Sequence, residues 1–457
     1  MRILVLLLTI TPLLVGFSHS SAADTAAPTD AQIKAVLSQH AGKLGPDVAI
    51  VFGWVDADGT RIITEGKGPA NKAFDGDSVF EIGSASKVFT GVALADMVKK
   101  GEVKLDDPVA KYLPASVRMP SRGGKEITLA DLATHTSGLP RMPNNMKPKD
   151  PYNPYGDYTV AQMYAFLSSY ELTRDIGAEF EYSNLGVGLL GHALALRAGT
   201  DYENLIRRRI CGPLKMTDTG IKLSADQRAR LVPGHDATGK PAKNWDIPAF
   251  AGAGALRSTA NDMLKFVAAN AGLSKSDLGP AMELSHAERH EVTGSSVLSI
   301  GLGWHILHRT GGPVVWHNGQ TGGYHSYIAF DEAAKRGVVV LANIASGDID
   351  SIGMEFIAPK QAAGKHVAIQ IDPKIYDAYA GVYRVAPGVE FTVKREKDQL
   401  MVQLTGQSFL PVFPESETEF FYKAVDAQLT FKKNAAGEVN GLVLHQGGLD
   451  QTATRLK

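Results

Sequence analysis

Only one cysteine, Cys211, stands among the 457 residues. A lone thiol closes no internal disulfide, so the fold must rest on its hydrophobic core even in an oxidising compartment. The amino-terminal segment carries no cysteine either, and no lipid attachment is expected there. Around Cys211, "RRRICGPLKM" reads as a helix end, where a small buried thiol is ordinary. Excess charge is also missing: 47 Lys and Arg stand against 48 Asp and Glu, a formal net charge of −1. With no basic stripe and no block of like charge, nucleic acid is excluded as an expected partner, and so is an anionic membrane surface. Long apolar runs are lacking beyond the first residues. There "ILVLLLTITPLLVGF" follows Met1-Arg2, is interrupted by Pro12 and yields to the small residues of "SHSSAAD". This is the pattern of a secretory signal peptide cut after Ala22 or Ala23, too short and broken for a span. The expectation is an exported protein, periplasmic or secreted, with no stable membrane anchor after cleavage.

What is present suits a folded, core-rich chain: 44% hydrophobic and 21% charged residues, over a length that suggests two or three domains. "TDAQIKAVLSQHAGK" predicts an amphipathic helix capped by Thr29 or Asp30. "DVAIVFGWV-DADG-TRIITEGKG" predicts a hairpin around an Asp-Gly turn. From about Val88 to Phe266 the pattern is mostly helical, cut by loops such as "PRMPNNMKPKDPYNPYGDY". Strands return in "GPVVWHNG", "YHSYIAF" and "GVVVLANIA". That order predicts an α/β (α+β) fold: an antiparallel sheet closed by amino- and carboxy-terminal strands, flanked by helices, with a helical subdomain. From about Ile371, "YAGVYRV", "EFTVKRE", "QLMVQLT", "FLPVF", "EFFYKA", "AQLTFKK" and "GLVLHQ" alternate with turn residues, which predicts a C-terminal all-β barrel. The expected division is a signal peptide over 1–23, a main domain over 24–357, a linker over 358–371 and the barrel over 372–457. Oligomeric state is left open.

Within "EIGSASKVFTGVALADMVKKG", Ser84 and Lys87 stand at i and i+3 and share one face of a helix starting there. Ser86 points elsewhere. Val88, Phe89, Val92 and Met97 anchor that helix in the core, and Ser84 lies at its positive end, which favours developing negative charge. A lysine serves as a base only when desolvation or a neighbouring cation lowers its pKa. The spacing therefore suits Ser84 as nucleophile and Lys87 as its proton acceptor, although an N-cap serine and a solvated lysine share the same pattern.

Two further elements follow: Tyr182-Ser183-Asn184 in "EYSNLGVGLLGH", and His317-Asn318-Gly319 in "VVWHNGQTGGYHS". With these the chain resembles the serine β-lactamase and penicillin-recognising superfamily, in its class C β-lactamase, DD-peptidase and related esterase branch. That superfamily is marked by Ser-x-x-Lys, Tyr-x-Asn and a Lys-Thr-Gly or His-x-Gly strand, in this order. "ITLADLATHTSGLPR", "AGALRSTANDMLKF" and "GLGW" look like the same branch, and the likeness covers roughly residues 30–355. The resemblance implies a serine hydrolase acting through an acyl-enzyme at Ser84. Lys87 and Tyr182 would share the proton work, with either as base. Asn184 would bond Lys87 or the substrate amide, and His317 and Gly319 would lie against the substrate. The N–H groups of Ser84 and Gln320 would form the oxyanion hole. His317 in place of lysine offers no permanent charge to a substrate carboxylate, and Asn318 replaces the usual threonine. The resemblance therefore implies a D-amino-acid peptide or a small ester as substrate, with a β-lactam as the alternative and a non-turnover penicillin- or cell-wall-binding protein as a further one. An appended barrel, lipocalin-like in some members, also fits the peptidase branch. It implies no cofactor and no metal.

Other signals point nowhere functional. "GVGLLG" (Gly186–Gly191) lacks the preceding strand and the later acidic residue of a dinucleotide site, and reads as small residues for close helix packing. "HAERH" places His286 and His290 at i, i+4, but its glutamate is misplaced for a zinc motif, so a polar helix face is expected. His135 in "THTSGLP" reads as a loop tie. No Gly-x-Ser-x-Gly element is present.

Overall fold

The computed structural model describes residues 27–456, except 46, 68–72, 294, 296, 310, 360–367, 387–388, 406–408, 424–426, 435 and 447–448. The expected signal peptide lies outside the described residues, as does most of the expected linker.

The first helix, Asp30–Leu44, starts from a capping box in which Thr29 and Gln32 satisfy each other's backbone N–H. The hairpin forms as the Asp-Gly turn requires, from strands Ile50–Asp56 and Gly59–Glu65. Its inner strand pairs antiparallel with Arg336–Ala342, setting Ile50 opposite Ala342 and Val55 opposite Gly337. Beyond that strand follow His325–Asp331, Val314–Gln320, His305–Leu307, Leu298–Ile300 and His290–Glu291, which completes an eight-stranded antiparallel sheet. The amino- and carboxy-terminal strands therefore close the sheet together, as their order in the chain predicts.

Side chains alternate along these strands and serve two cores. Val338 and Val340 join Ile33, Leu37, Ile349 and Ile352, from the helices Asp30–Leu44 and Asp348–Ile357, on one face. Val339 and Leu341 join the large helical part on the other. Because both faces are covered, Arg336–Ala342 is buried at every residue and reads as a near-continuous apolar run.

The helix Ser86–Lys99 is buried from Ser86 through Met97, around its whole circumference. Its approach to the Leu302 carbonyl is so close that a Cβ on Gly91 would fall 1.8 Å from that oxygen. Gly188 and Gly191 let the helix Asn184–Arg197 close on Phe250 and Gly252, so "GVGLLG" is packing. Cys211 is buried at the end of a π-helical turn, Arg207–Cys211. "HAERH" does not form the expected polar helix face. The helix Gly279–His286 stops at the first histidine, His286 is largely buried, and His290 lies in a two-residue strand. The two imidazoles thus share no helix face.

The C-terminal strands close an eight-stranded up-and-down barrel from Gly381–Ala386 through Leu449–Arg455. The last strand, "LDQTATR", is too polar and non-alternating to stand out in the sequence. Pairing with both its neighbours makes it a strand. Aromatic side chains fill the interior. Tyr379 stacks on Phe431 at 4.3 Å between ring centroids, and Phe420 meets Phe431 edge-on at 5.6 Å.

Candidate active site

Gly83–Ala85 form a single 3-10 turn ahead of the helix Ser86–Lys99, and this turn carries Ser84. Gly83 sits at φ +50°, a conformation that suits glycine. Ile82 is tied on both sides, donating its N–H to the Leu256 carbonyl at 3.1 Å and accepting from Ser326 Oγ at 2.8 Å. The strand Val314–Gln320 lies directly against this turn. A Cβ on Gly83 would fall 2.7 Å from the Gln320 nitrogen. One on Gly319 would fall 1.9 Å from the Ile82 oxygen and 2.8 Å from the Ser84 nitrogen. Two glycines thus bring the Ser84 and Gln320 amides to the same corner.

Lys87 Nζ donates to Ser84 Oγ at 2.9 Å and to the Ala253 carbonyl at 2.7 Å, from a side chain with no exposed surface. Burial, seconded by the positive charge of Arg141, holds its pKa well below the usual lysine value. An amine in that state can accept a hydroxyl proton. Ser86 Oγ instead accepts from the Leu256 N–H at 3.1 Å inside the core, and so takes no part in the cavity.

Tyr182 reaches the same point from the segment before the helix Asn184–Arg197. Its neighbour Ser183 caps that helix through the Gly186 N–H at 2.9 Å and donates to the Pro140 carbonyl at 2.7 Å. The Lys87 Nζ lies 4.7 Å from the centroid of the Tyr182 ring. Burial pushes the phenol up to about 12, against the opposing pull of Ser84 and Arg141. His135 stacks on the ring at 4.5 Å and accepts the Ser183 N–H through Nδ1 at 3.0 Å, which is the loop-tying role expected of it.

A cavity of about 480 Å³ opens over Ser84. Tyr182, Asn184, Gly319 and Gln320 line it together with Ser84, whereas Lys87 and His317 stand behind its wall. Asn184 Oδ1 is buried without a partner. His317 was expected against the substrate. Its side chain is fully buried 5.1 Å from His305, with Nδ1 turned to the Asn318 carbonyl. Burial, followed by His305 and Lys87, keeps it neutral.

Tyr155, Trp245, Phe250 and His305 complete the wall from loops and a strand position without a motif. Arg141 and His325 do lie in family-like stretches, "ITLADLATHTSGLPR" and "VVWHNGQTGGYHS", but nothing in those stretches marks them as wall residues. The Pro140–Tyr158 loop is clamped to the 242–250 segment. Asn153 and Asp246 exchange two hydrogen bonds, and Trp245 Nε1 donates to the Tyr152 carbonyl at 3.1 Å. Trp245 is anchored in turn by Glu81, which pairs with Arg257 at 3.1 Å in the interior. Across the cavity, Asp350 accepts from Asn318 at 2.6 Å and pairs with His325 at 2.7 Å.

The Beta-lactamase family model matches residues 50–355. A second model, described as a domain of unknown function (DUF3471), matches residues 365–456. The D-alanyl-D-alanine-carboxypeptidase/endopeptidase AmpH of Escherichia coli K12 is 33% identical over 265 residues, 55% of this chain and 68% of that protein. Penicillin-binding protein 4* of Bacillus subtilis is 25% identical over 417 residues, 83% of this chain and 88% of that protein. A crystal structure of a beta-lactamase/D-alanine carboxypeptidase from Yersinia pestis, complexed with citrate, superposes with a TM-score of 0.62 at 25% identity. The superposition covers 71% of this chain and 95% of that one. The protein is a serine hydrolase. It belongs to the Beta-lactamase family.

Proposed function

We propose that this is an exported serine hydrolase that forms an acyl-enzyme at Ser84 and acts on an amide or ester, as a D-amino-acid peptidase, carboxypeptidase or esterase. The reading rests on one observation, a wholly buried lysine amine 2.9 Å from Ser84 Oγ. Ser84 Oγ attacks the carbonyl carbon while Lys87 takes its proton. The negative charge on the carbonyl oxygen gathers between the Ser84 and Gln320 N–H groups, a stabilisation worth about 3–4 kcal/mol per donor elsewhere. Tyr182, with a pKa of about 12, keeps its proton at neutral pH and is suited to pass one to the leaving nitrogen or oxygen. Lys87 then passes its proton to the Tyr182 phenolate and is neutral again. Water attacks the acyl-enzyme, giving its proton to Lys87, which returns it to Ser84 Oγ as the acyl–oxygen bond breaks. Asn184 Oδ1, buried and unpaired, is available to a substrate N–H.

The similarity to AmpH, named a carboxypeptidase and endopeptidase, favours a peptide substrate. β-Lactam hydrolysis is the second reading, favoured by the relatives named beta-lactamase. Against it stands His317, which supplies no permanent charge. The proposed division is a signal peptide over 1–23, the hydrolase over 24–357, a linker over 358–371 and the barrel over 372–457.

The test is an intact-mass time course with a penicillin, for wild type and Ser84→Ala, beside hydrolysis assays on a D-alanyl-D-alanine peptide and a chromogenic ester. Peptide or ester turnover that vanishes in the mutant supports the reading. Penicillin consumed rapidly without a lasting adduct would favour the β-lactamase. A lasting adduct with no turnover of any substrate would make this a binding protein.

A further inference from the structure

Charge in the cavity is unusually placed. The strand that should offer a cation offers neutral His317, buried behind the wall. Lys87 is committed to Ser84 and the Ala253 carbonyl. Burial brings His305 down to about 4, so it too is neutral at working pH. His325 is engaged by Asp350 and Gln320. Among the described lining residues there is no aspartate or glutamate, and Arg141 is the one permanent cation.

Arg141 is also held in place. Its carbonyl accepts the N–H groups of Asn184 and Leu185 at 3.1 and 3.2 Å, so the first turn of the Asn184–Arg197 helix fixes its backbone. Its guanidinium carbon lies 5.0 Å from the centroid of the Tyr182 ring. No ion pair joins it to a carboxylate of the described residues, and its side chain is exposed. A guanidinium steadied on an aromatic face keeps its planar fork free for a carboxylate. Beside it, Asn184 Oδ1 lacks a donor.

We propose that Arg141 determines specificity by binding a carboxylate of the substrate, and that the preferred substrates are peptides or peptide-like acyl compounds carrying one. The inference rests on Ser84 being the nucleophile of this cavity. It moves the recognition of negative charge from the His317 strand to the loop beside Tyr182.

The experiment uses the full chain and two matched pairs of N-acyl-amino-acid thioesters. Within each pair one member bears a free carboxylate and the other its carboxamide, on the acyl side in one pair and on the leaving group in the other. The wild type is expected to favour the carboxylate in one of the pairs, chiefly through KM. Arg141→Gln should cut the carboxylate-over-carboxamide ratio of kcat/KM roughly 10- to 100-fold, the usual effect of losing a charged hydrogen bond. Arg141→Lys should restore only part of it, since the fork is gone. Absence of preference in both pairs overturns the inference, as does a Gln variant that lowers kcat equally for both members, which would mean that Arg141 acts through Lys87 and Tyr182. Labelling by an uncharged fluorophosphonate separates the two levels. Labelled Ser84 without carboxylate preference removes only the role of Arg141. Thioester turnover that survives Ser84→Ala removes the nucleophile and the inference with it.

Discussion

Lys87 is normally a solvated residue type, yet here it has no exposed surface, and this has a thermodynamic consequence beside the chemical one. In the unfolded chain it titrates near 10.5, whereas burial lowers the folded value well below that. Between the two, the unfolded chain binds a proton that the folded chain does not, so stability should rise with pH across that window. Urea unfolding of wild type minus Lys87→Met, measured from pH 7 to 10, is expected to show this positive slope. A flat difference would mean that the folded amine is charged. For activity the sign is the same: kcat/KM should fall toward acid as Lys87 takes up a proton, and Lys87→Arg, permanently charged, should lose about 10²–10⁴-fold. The two serines separate cleanly as well. Ser86→Ala should keep acylation but cost about 1–3 kcal/mol on thermal unfolding, because the Leu256 N–H is left buried and unpaired. At this scale spacing placed Ser84 beside Lys87, and the family resemblance pointed to Tyr182 and Asn184; the structure gathers all four around one cavity. Arg141 and His325 escaped although both lie in family-like stretches, because a side chain's place in a cavity wall is set only when the chain folds around it.

Elements explain why the site needs glycine on both sides. The turn at Gly83 and the strand at Gly319 approach so closely that neither tolerates a side chain. Gly319→Ala is expected to push the strand from the turn and separate the two amides, with acylation by penicillin or fluorophosphonate slowed at least about 10²-fold. Near-normal labelling rates would show that the strand yields without cost. The helix, hairpin and central strands were readable because their periods of 3.6 and 2 survive in the sequence. Failures came where pairing overrides local pattern. The polar eighth barrel strand gains its structure from two neighbours, and "HAERH" loses its helix because the chain turns into the sheet edge after His286.

At the scale of the molecule, the buried residues among those described fall into three clusters, two on either side of the main sheet and one inside the barrel. A barrel with its own filled core should unfold as its own unit. Phe431→Ala, which removes the ring at the centre of that core, is expected to cost about 3–5 kcal/mol in the barrel transition while leaving hydrolysis intact. Calorimetry that shows one indivisible transition, with activity lost alongside, would refute that independence. The pairing of Ile50–Asp56 with Arg336–Ala342 sets a different kind of limit, one of time. A ribosome must deliver nearly three hundred residues between the two strands before they can meet, so most contacts that complete the sheet are late and non-local. Ser84 depends on the same late arrival, because Gln320 reaches it only with the returning strands. No early fragment of the chain can therefore be an active one, and hydrolysis itself reports that the main sheet has closed.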